Sequence, residues 1–276
     1  MYSEDLKVID GETAGAWIKP RLGGEFGAVT LQVPEGFEAY ARVIHPASDP
    51  EWHPVRWADV AKACGTTAHR EMQWHAIVGL PEPKNYRDSK WPGHNPETGS
   101  MDIDDLDALC EILAVHTADP EHVFFGLCTI ELWEESFPRK ELKKNRLLRL
   151  PLGRDHIVLA GPLSAVDQLA NDGAANPGPS RARSKLVARA PTSSEEALES
   201  ASNLMEVWER RDAPNLIWPA DHSWFVASEV DFDSTLVGGS AELIKAIVES
   251  SELEAWQVAP TDSLAADADE INGAQH

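Results

Sequence analysis

Apolar residues in this chain alternate with polar ones in short runs, and turns rather than crossover helices join the runs. This pattern limits the fold more than any other feature. A parallel sheet needs long crossovers and strands buried on both faces, which read as continuous apolar runs. Here, in GAVTLQV, Val29, Leu31 and Val33 alternate with Thr30 and Gln32. Pro34-Glu35-Gly36 is turn chemistry, and FEAYARVI resumes with period two through Phe37, Ala39, Ala41 and Val43. HVFFGLCTIELW (122–133) reads as a strand, and LLRLPLGRDHIVLAGPL (147–163) as two strands joined at Gly153. DHSWFVASEVDFD (221–233) reads as one strand, and EAWQVAP as a last short one. Clean β-α-β alternation is lacking. The expected class is α+β, with largely antiparallel sheet(s) and packed helices.

Helix signals fall between these runs. VRWADVAKACG reads as a helix closed by Gly65, whereas 69–79 is ambiguous. A long polar loop, 80–100, precedes Ser100, a cap for the next helix. Asp102, Asp104 and Asp105 crowd its first turns, and Ile103, Leu106, Leu109, Cys110, Leu113 and Val115 form its apolar stripe. Ser164 caps a helix in SAVDQLA. Ser193 to Glu196 is a capping box opening a helix through Trp208. LVGGS reads as a loop whose Ser240 caps AELIKAIVESS. The expected organisation is an α+β body over 1–170 and a flexible linker or insertion over 171–193. A helix-strand-helix unit over 194–261 packs on the body, and a disordered acidic tail spans 262–276. The linker carries a basic island, Arg181, Arg183, Lys185 and Arg189. A faint echo relates RDHIVLAGPLSAVDQL to ADHSWFVAS and GGSAELIKAI.

Net charge narrows the function classes. With 46 acidic against 24 basic residues the chain carries −22. That disfavours nucleic acid and anionic membrane, where Lys and Arg must neutralise phosphates. A basic protein partner, or mimicry of nucleic acid, suits it. Apolar residues make up 42%, enough for a packed core, and several of the ten tryptophans should be structural. Cys64, Cys110 and Cys128 are widely spaced and form no C-x-x-C pair, which disfavours a disulfide framework or zinc ribbon. MYSEDLKVIDGE lacks the apolar run of a signal peptide, and no window is apolar enough for a membrane span. A cytoplasmic location is expected.

The segment most suggestive of chemistry is VDFDSTLVGG (230–239). It resembles the first motif of the haloacid dehalogenase-type phosphatases, a strand ending in D-x-D-x-T. The resemblance implies Asp231 as nucleophile, Asp233 as general acid/base and Mg2+ as cofactor. Ser228 and Glu229 interrupt the apolar run such a strand needs. The motif also opens the catalytic domain in that family, whereas here Thr235 lies near the end of 276 residues. At period two, Glu229, Asp231 and Asp233 share one face of a half-wet strand. VGGS before a helix lacks a complete phosphate-loop pattern. His69-Arg70-Glu71 lacks the cysteine pair a zinc deaminase requires, and His69 and His75 do not have metal-ligand spacing. His45, His53, His75 and His94 could converge with the tryptophan-rich loop.

FEAYARVIHP (37–46), VRWADVA (55–61), HREMQWHAI (69–77), LCTIELW (127–133) and PNLIWPADHSWFVASEVDFDSTLVGGSAELIKAI (214–247) together resemble an uncharacterised family of actinobacterial hypothetical proteins. The resemblance implies a cytoplasmic bacterial protein and carries over no catalytic residue. The expected function is therefore a non-enzymatic binding or immunity-like protein with an acidic interaction surface. Its expected binding residues are Glu229, Asp231, Asp233, Trp218 and Trp224, with no cofactor or metal. A Mg2+-dependent phosphatase or phosphoryl-transfer enzyme using Asp231 and Asp233 is the alternative.

Overall fold

A computed structural model describes residues 5–99, 101–129, 146–151, 154–166, 169 and 214–273. In chain order its elements are β1 (Lys7–Ile9), α1 (Gly11–Ala14), β2 (Ala39–Ile44), β3 (Ala47–Ser48), β4 (Pro54–Val55), α2 (Trp57–Cys64), α3 (Trp74–Ile77), α4 (Ile103–Val115), β5 (Val123–Cys128), β6 (Leu148–Arg149), β7 (Asp155–Gly161), β8 (Leu216–Pro219), β9 (Phe225–Ser228), β10 (Ser234–Gly239), α5 (Ala241–Val248) and β11 (Ala255–Val258). Nine strands form one sheet in the order β1-β7-β5-β8-β9-β10-β2-β11, with β6 also on β7. Every described pairing is antiparallel. The class is α+β, as the alternation predicts. None of the described helices is long and apolar enough to cross a membrane.

Period two sorts the side chains between two cores. On one face Ala41, Val43, Phe125, Ile157, Ile217, Val226 and Val237 pack with Leu106, Leu109 and Leu113 of α4 and Leu243, Ile244 and Ile247 of α5. On the other, Tyr40, Val158, Leu216, Trp218, Phe225 and Leu236 meet the N-terminal segment through Ile18, Val29 and Val33. A third cluster joins Ile44 to α2 and α3 through Trp57, Val60, Met72, Trp74 and Ile77. Each large side chain fully buried in this way contributes about 1.5–3 kcal/mol.

The helix ends explain their positions. Ser240 Oγ accepts the Leu243 N–H at 3.2 Å and starts α5. Gly65 adopts φ 76 and ends α2, where a left-handed residue suits glycine. The first turn of α2 lacks a cap of its own. Glu254 supplies one from outside, accepting the Trp57 N–H at 2.6 Å and the Ala58 N–H at 2.9 Å. For α4 the cap is Asp102, which accepts the Asp104 N–H; Ser100 lies outside the described residues. Val115, at the end of the expected stripe, is 82% exposed.

Several expectations are corrected. GAVTLQV is not a strand: Val29–Leu31 is a 3-10 helix. The Val29 and Thr30 N–H groups donate to the carbonyls of Asp262 and Pro260, so no strand partner is needed. LVGGS is not a loop, because Ser234–Gly239 is a strand buried at every position. A Cβ at Gly238 would lie 2.5 Å from Phe37 Cδ2, and one at Gly239 would lie 2.6 Å from Leu243 Cδ2. These glycines let the two covering layers close on the sheet. The acidic strand ends at Ser228, and residues 229–233 are the turn between β9 and β10. Ser164 lies inside a 3-10 turn, Leu163–Ala165, that follows Pro162. His156 sits within β7 whereas His222 occupies a turn at φ 57, so the two Asp-His segments are not equivalent.

The tail is ordered as far as Gly273. Leu264 is buried, and Asp269 accepts from His69 Nε2 at 2.8 Å and from the Gln73 N–H at 3.1 Å. Strands β8 to β11 belong to the same sheet as β1, β2, β5, β6 and β7, and β2 lies between β10 and β11, while β3 and β4 pair separately. The linker expected over 171–193 and the helix through Trp208 lie outside the described residues.

Candidate functional site

The turn 229–233 is built by ion pairs. Phe232 N–H donates to the Glu229 carbonyl at 3.0 Å, and Gly99 N–H donates to the Phe232 carbonyl at 2.9 Å. Arg154, just before β7, donates from Nε to Glu229 Oε1 at 2.8 Å and from Nη2 to Asp231 Oδ2 at 2.5 Å. Hydrogen bonding to Glu229 is the main force holding this guanidinium in its charged form. Asp231 is 76% exposed and Glu229 only 14%. Asp233 turns away from this group, its Oδ1 lying 3.4 Å from Arg42 Nη2.

The sequence therefore places three carboxylates together, and the fold divides them. Glu229 and Asp231 share Arg154, while Asp233 faces Arg42. The buried Arg42 also donates to Ser234 Oγ at 2.9 Å and to the Met72 carbonyl at 2.8 Å. It thereby fastens the segment before α3 to the turn. Asp231 and Asp233 are turn residues of an antiparallel hairpin, not the end of a parallel strand. Trp218 and Trp224, both expected as binding residues, are fully buried. Trp224 Nε1 donates to Thr117 Oγ1 at 2.9 Å, and Trp218 packs among Phe124 and Phe225.

Beneath the hairpin runs a chain of buried polar groups. His45 Nδ1 lies 3.0 Å from the Glu97 carbonyl, so it carries the proton. Nε2 therefore accepts from Thr235 Oγ1 at 2.9 Å, and Thr235 accepts from Ser228 Oγ at 2.6 Å. This is the connectivity of a base-activated hydroxyl. Thr235 has 0% exposure, however, so no substrate reaches its oxygen. Burial lowers the His45 pKa and keeps the imidazole neutral. The chain's role is to satisfy polar groups inside the sheet. The other histidines do not join it: His94 stacks on Trp52, His53 pairs with Asp49, and His75 is buried in α3. Among the described residues no group of three or more His, Cys, Asp or Glu is placed to hold a metal ion.

A cleft opens between the N-terminal segment and the second face of the sheet, with the Arg154–Glu229 pair on its rim. Its volume is about 30 Å3. Leu22, Leu31, Leu150 and Leu216 form apolar walls, and Gln32 and His156 bring polar atoms to it. Gln32 is 8% exposed and His156 4%. Among the described residues neither Oε1 nor Nε2 of Gln32 has a hydrogen-bond partner, nor has Nδ1 of His156. Burial pushes the His156 pKa down to about 4, against the pull of the nearby Arg154 and Leu148 carbonyls. Its ring is neutral at pH 7.

Glu229 is the one expected site residue that lines this cleft; Gln32, Arg154 and His156 carried no signal in the sequence. Gln32 reads as the polar position of an alternating run, and His156 as the start of a strand. Only the fold brings them together across 124 positions of chain. No protein family, characterised protein or solved structure matches this chain.

Proposed function

We propose that this chain is a non-enzymatic, cytoplasmic bacterial binding protein whose acidic surface engages a basic protein partner. The observation that carries the reading is the uncompensated charge: 46 carboxylates against 24 Lys and Arg. Among the described residues, four arginines are committed to carboxylates of the chain itself. Arg42 faces Asp233, Arg70 pairs with Asp262, Arg146 with Asp10 and Glu12, and Arg154 with Glu229 and Asp231. The excess negative charge is left to solvent, where it steers a cationic partner and repels nucleic acid.

One region supports this locally. Around the N-terminal ends of α4 and α2, Asp105 feels the charges of Asp102, Asp104, Glu254 and Arg56, and Glu254 feels those of Arg56 and Asp59. Burial, reinforced by repulsion from Asp102 and Asp104, pushes the Asp105 pKa up to about 7. A lysine or arginine from a partner would relieve that repulsion. A lysine-rich peptide titrated against the full chain tests the reading. Neutralising Asp59 and Asp104 to Asn should weaken binding about tenfold, whereas neutralising the exposed Glu25 and Glu242 to Gln should change it less than about threefold. Equal losses from both pairs would refute this placement of the surface.

A further inference from the structure

We propose that the cleft beneath the 229–233 hairpin binds the amide edge of a small neutral molecule, a primary amide or a lactam. This site is independent of the acidic-surface reading. A carboxamide that is more than nine-tenths buried with both ends unpaired is costly, because each end forfeits its bonds to water. Gln32 offers a donor and an acceptor side by side. Another amide edge is their complement: its C=O accepts from Nε2 while its N–H donates to Oε1. The match holds whichever way the Gln32 amide is turned, since both atoms are free. His156, whose Nδ1 has no partner among the described residues, lines the same cleft.

Charge and size narrow the ligand further. At the rim, two carboxylates already occupy the Arg154 guanidinium, so among the described residues lining the cleft no free cation remains for an anion. Glu229 is likewise committed to Arg154, which leaves a buried ammonium without a partner. A neutral group avoids both penalties. The cleft, at about 30 Å3, has room for roughly two waters, comparable to one amide head group. The leucine walls suit a short alkyl portion, and anything larger would remain at the mouth.

Butyramide is the probe, with butyrate as the isosteric anionic control and butylamine as a cationic control of similar length. Each is titrated into the 15N-labelled full chain and followed by amide spectra. Butyramide should give saturable shifts at the Gln32 side-chain amide and around 154–156 and 227–229, with a Kd of about 1–20 mM for so small a ligand. The two controls should bind at least about tenfold more weakly. Gln32→Leu, which keeps the volume and removes both polar atoms, should weaken butyramide at least about tenfold. Three outcomes overturn the proposal: no saturable shift, with ordered water alone contacting Gln32; equal responses to all three probes; or unchanged affinity in Gln32→Leu. Should that variant fail to fold, the comparison of the three probes on the natural chain decides the matter.

Discussion

At the scale of single residues, the acidic hairpin depends on one arginine. Arg154 neutralises Glu229, which is 14% exposed and has little water to fall back on. Arg154→Met should therefore lower the unfolding free energy by about 1–3 kcal/mol, with Arg154→Lys recovering part of the loss. Urea unfolding of the three proteins checks this, and an unchanged midpoint in the Met variant would contradict it. The sequence showed the carboxylates but not their partner, since Arg154 lies 75 positions before Glu229. Three acidic residues at period two fit a wet strand face equally well. The turn was hidden because Val230 and Phe232 kept the apolar alternation running beyond the strand's true end.

Titration also belongs to this scale. The folded pKa of Asp105, about 7, lies above its unfolded value. Its protonated form is the one the fold favours, so stability is fully present at low pH and falls as pH rises from about 4 to about 7. Asp105→Asn removes that slope. Relative to the natural chain, the variant should gain about 1 kcal/mol between pH 5 and pH 8, roughly half the linkage over that window because solvent screens a partly exposed carboxyl. His156 acts in the opposite window. Its folded pKa of about 4 is depressed, so its contribution is present above pH 6.5 and lost as pH falls toward 4. Comparing the variant with the natural chain at each pH isolates the Asp105 effect from the histidine slope.

At the scale of elements, local patterning worked where one element could satisfy itself. Helices α2, α4 and α5 follow their stripes, and β2, β5 and β11 follow their alternation. It failed where a distant segment supplies what an element lacks. Val29 reads as strand, yet its N–H donates to Asp262. Gly238 and Gly239 read as a turn, yet they sit in a central strand because Phe37 and Leu243 press on it from either side. The tail reads as disordered by composition, yet it buries Leu264 and Asp269 and hydrogen-bonds back to Gly27. A chain ending at Thr261 should consequently lose about 3 kcal/mol or more of stability. A urea midpoint unchanged by the truncation would show that the tail contributes nothing.

At the scale of the whole molecule, the class was legible because antiparallel sheets leave a period-two signature. The strand order was not. β2 pairs with β10 and β11, whose partners lie 190 to 218 positions further along the chain, and no local pattern encodes that return. The cleft was illegible for the same reason, since Gln32 and His156 meet only through the sheet and its cover. Net charge, by contrast, is a sum over the chain and needs no fold to be read. It underlies the central claim, that this molecule works by presenting negative charge to a basic partner. The most direct test is the salt dependence of lysine-rich peptide binding by the full chain. The account predicts that Kd rises about tenfold or more between 50 and 300 mM salt, as screened charge pairs require. A Kd that stays constant over that range would contradict it.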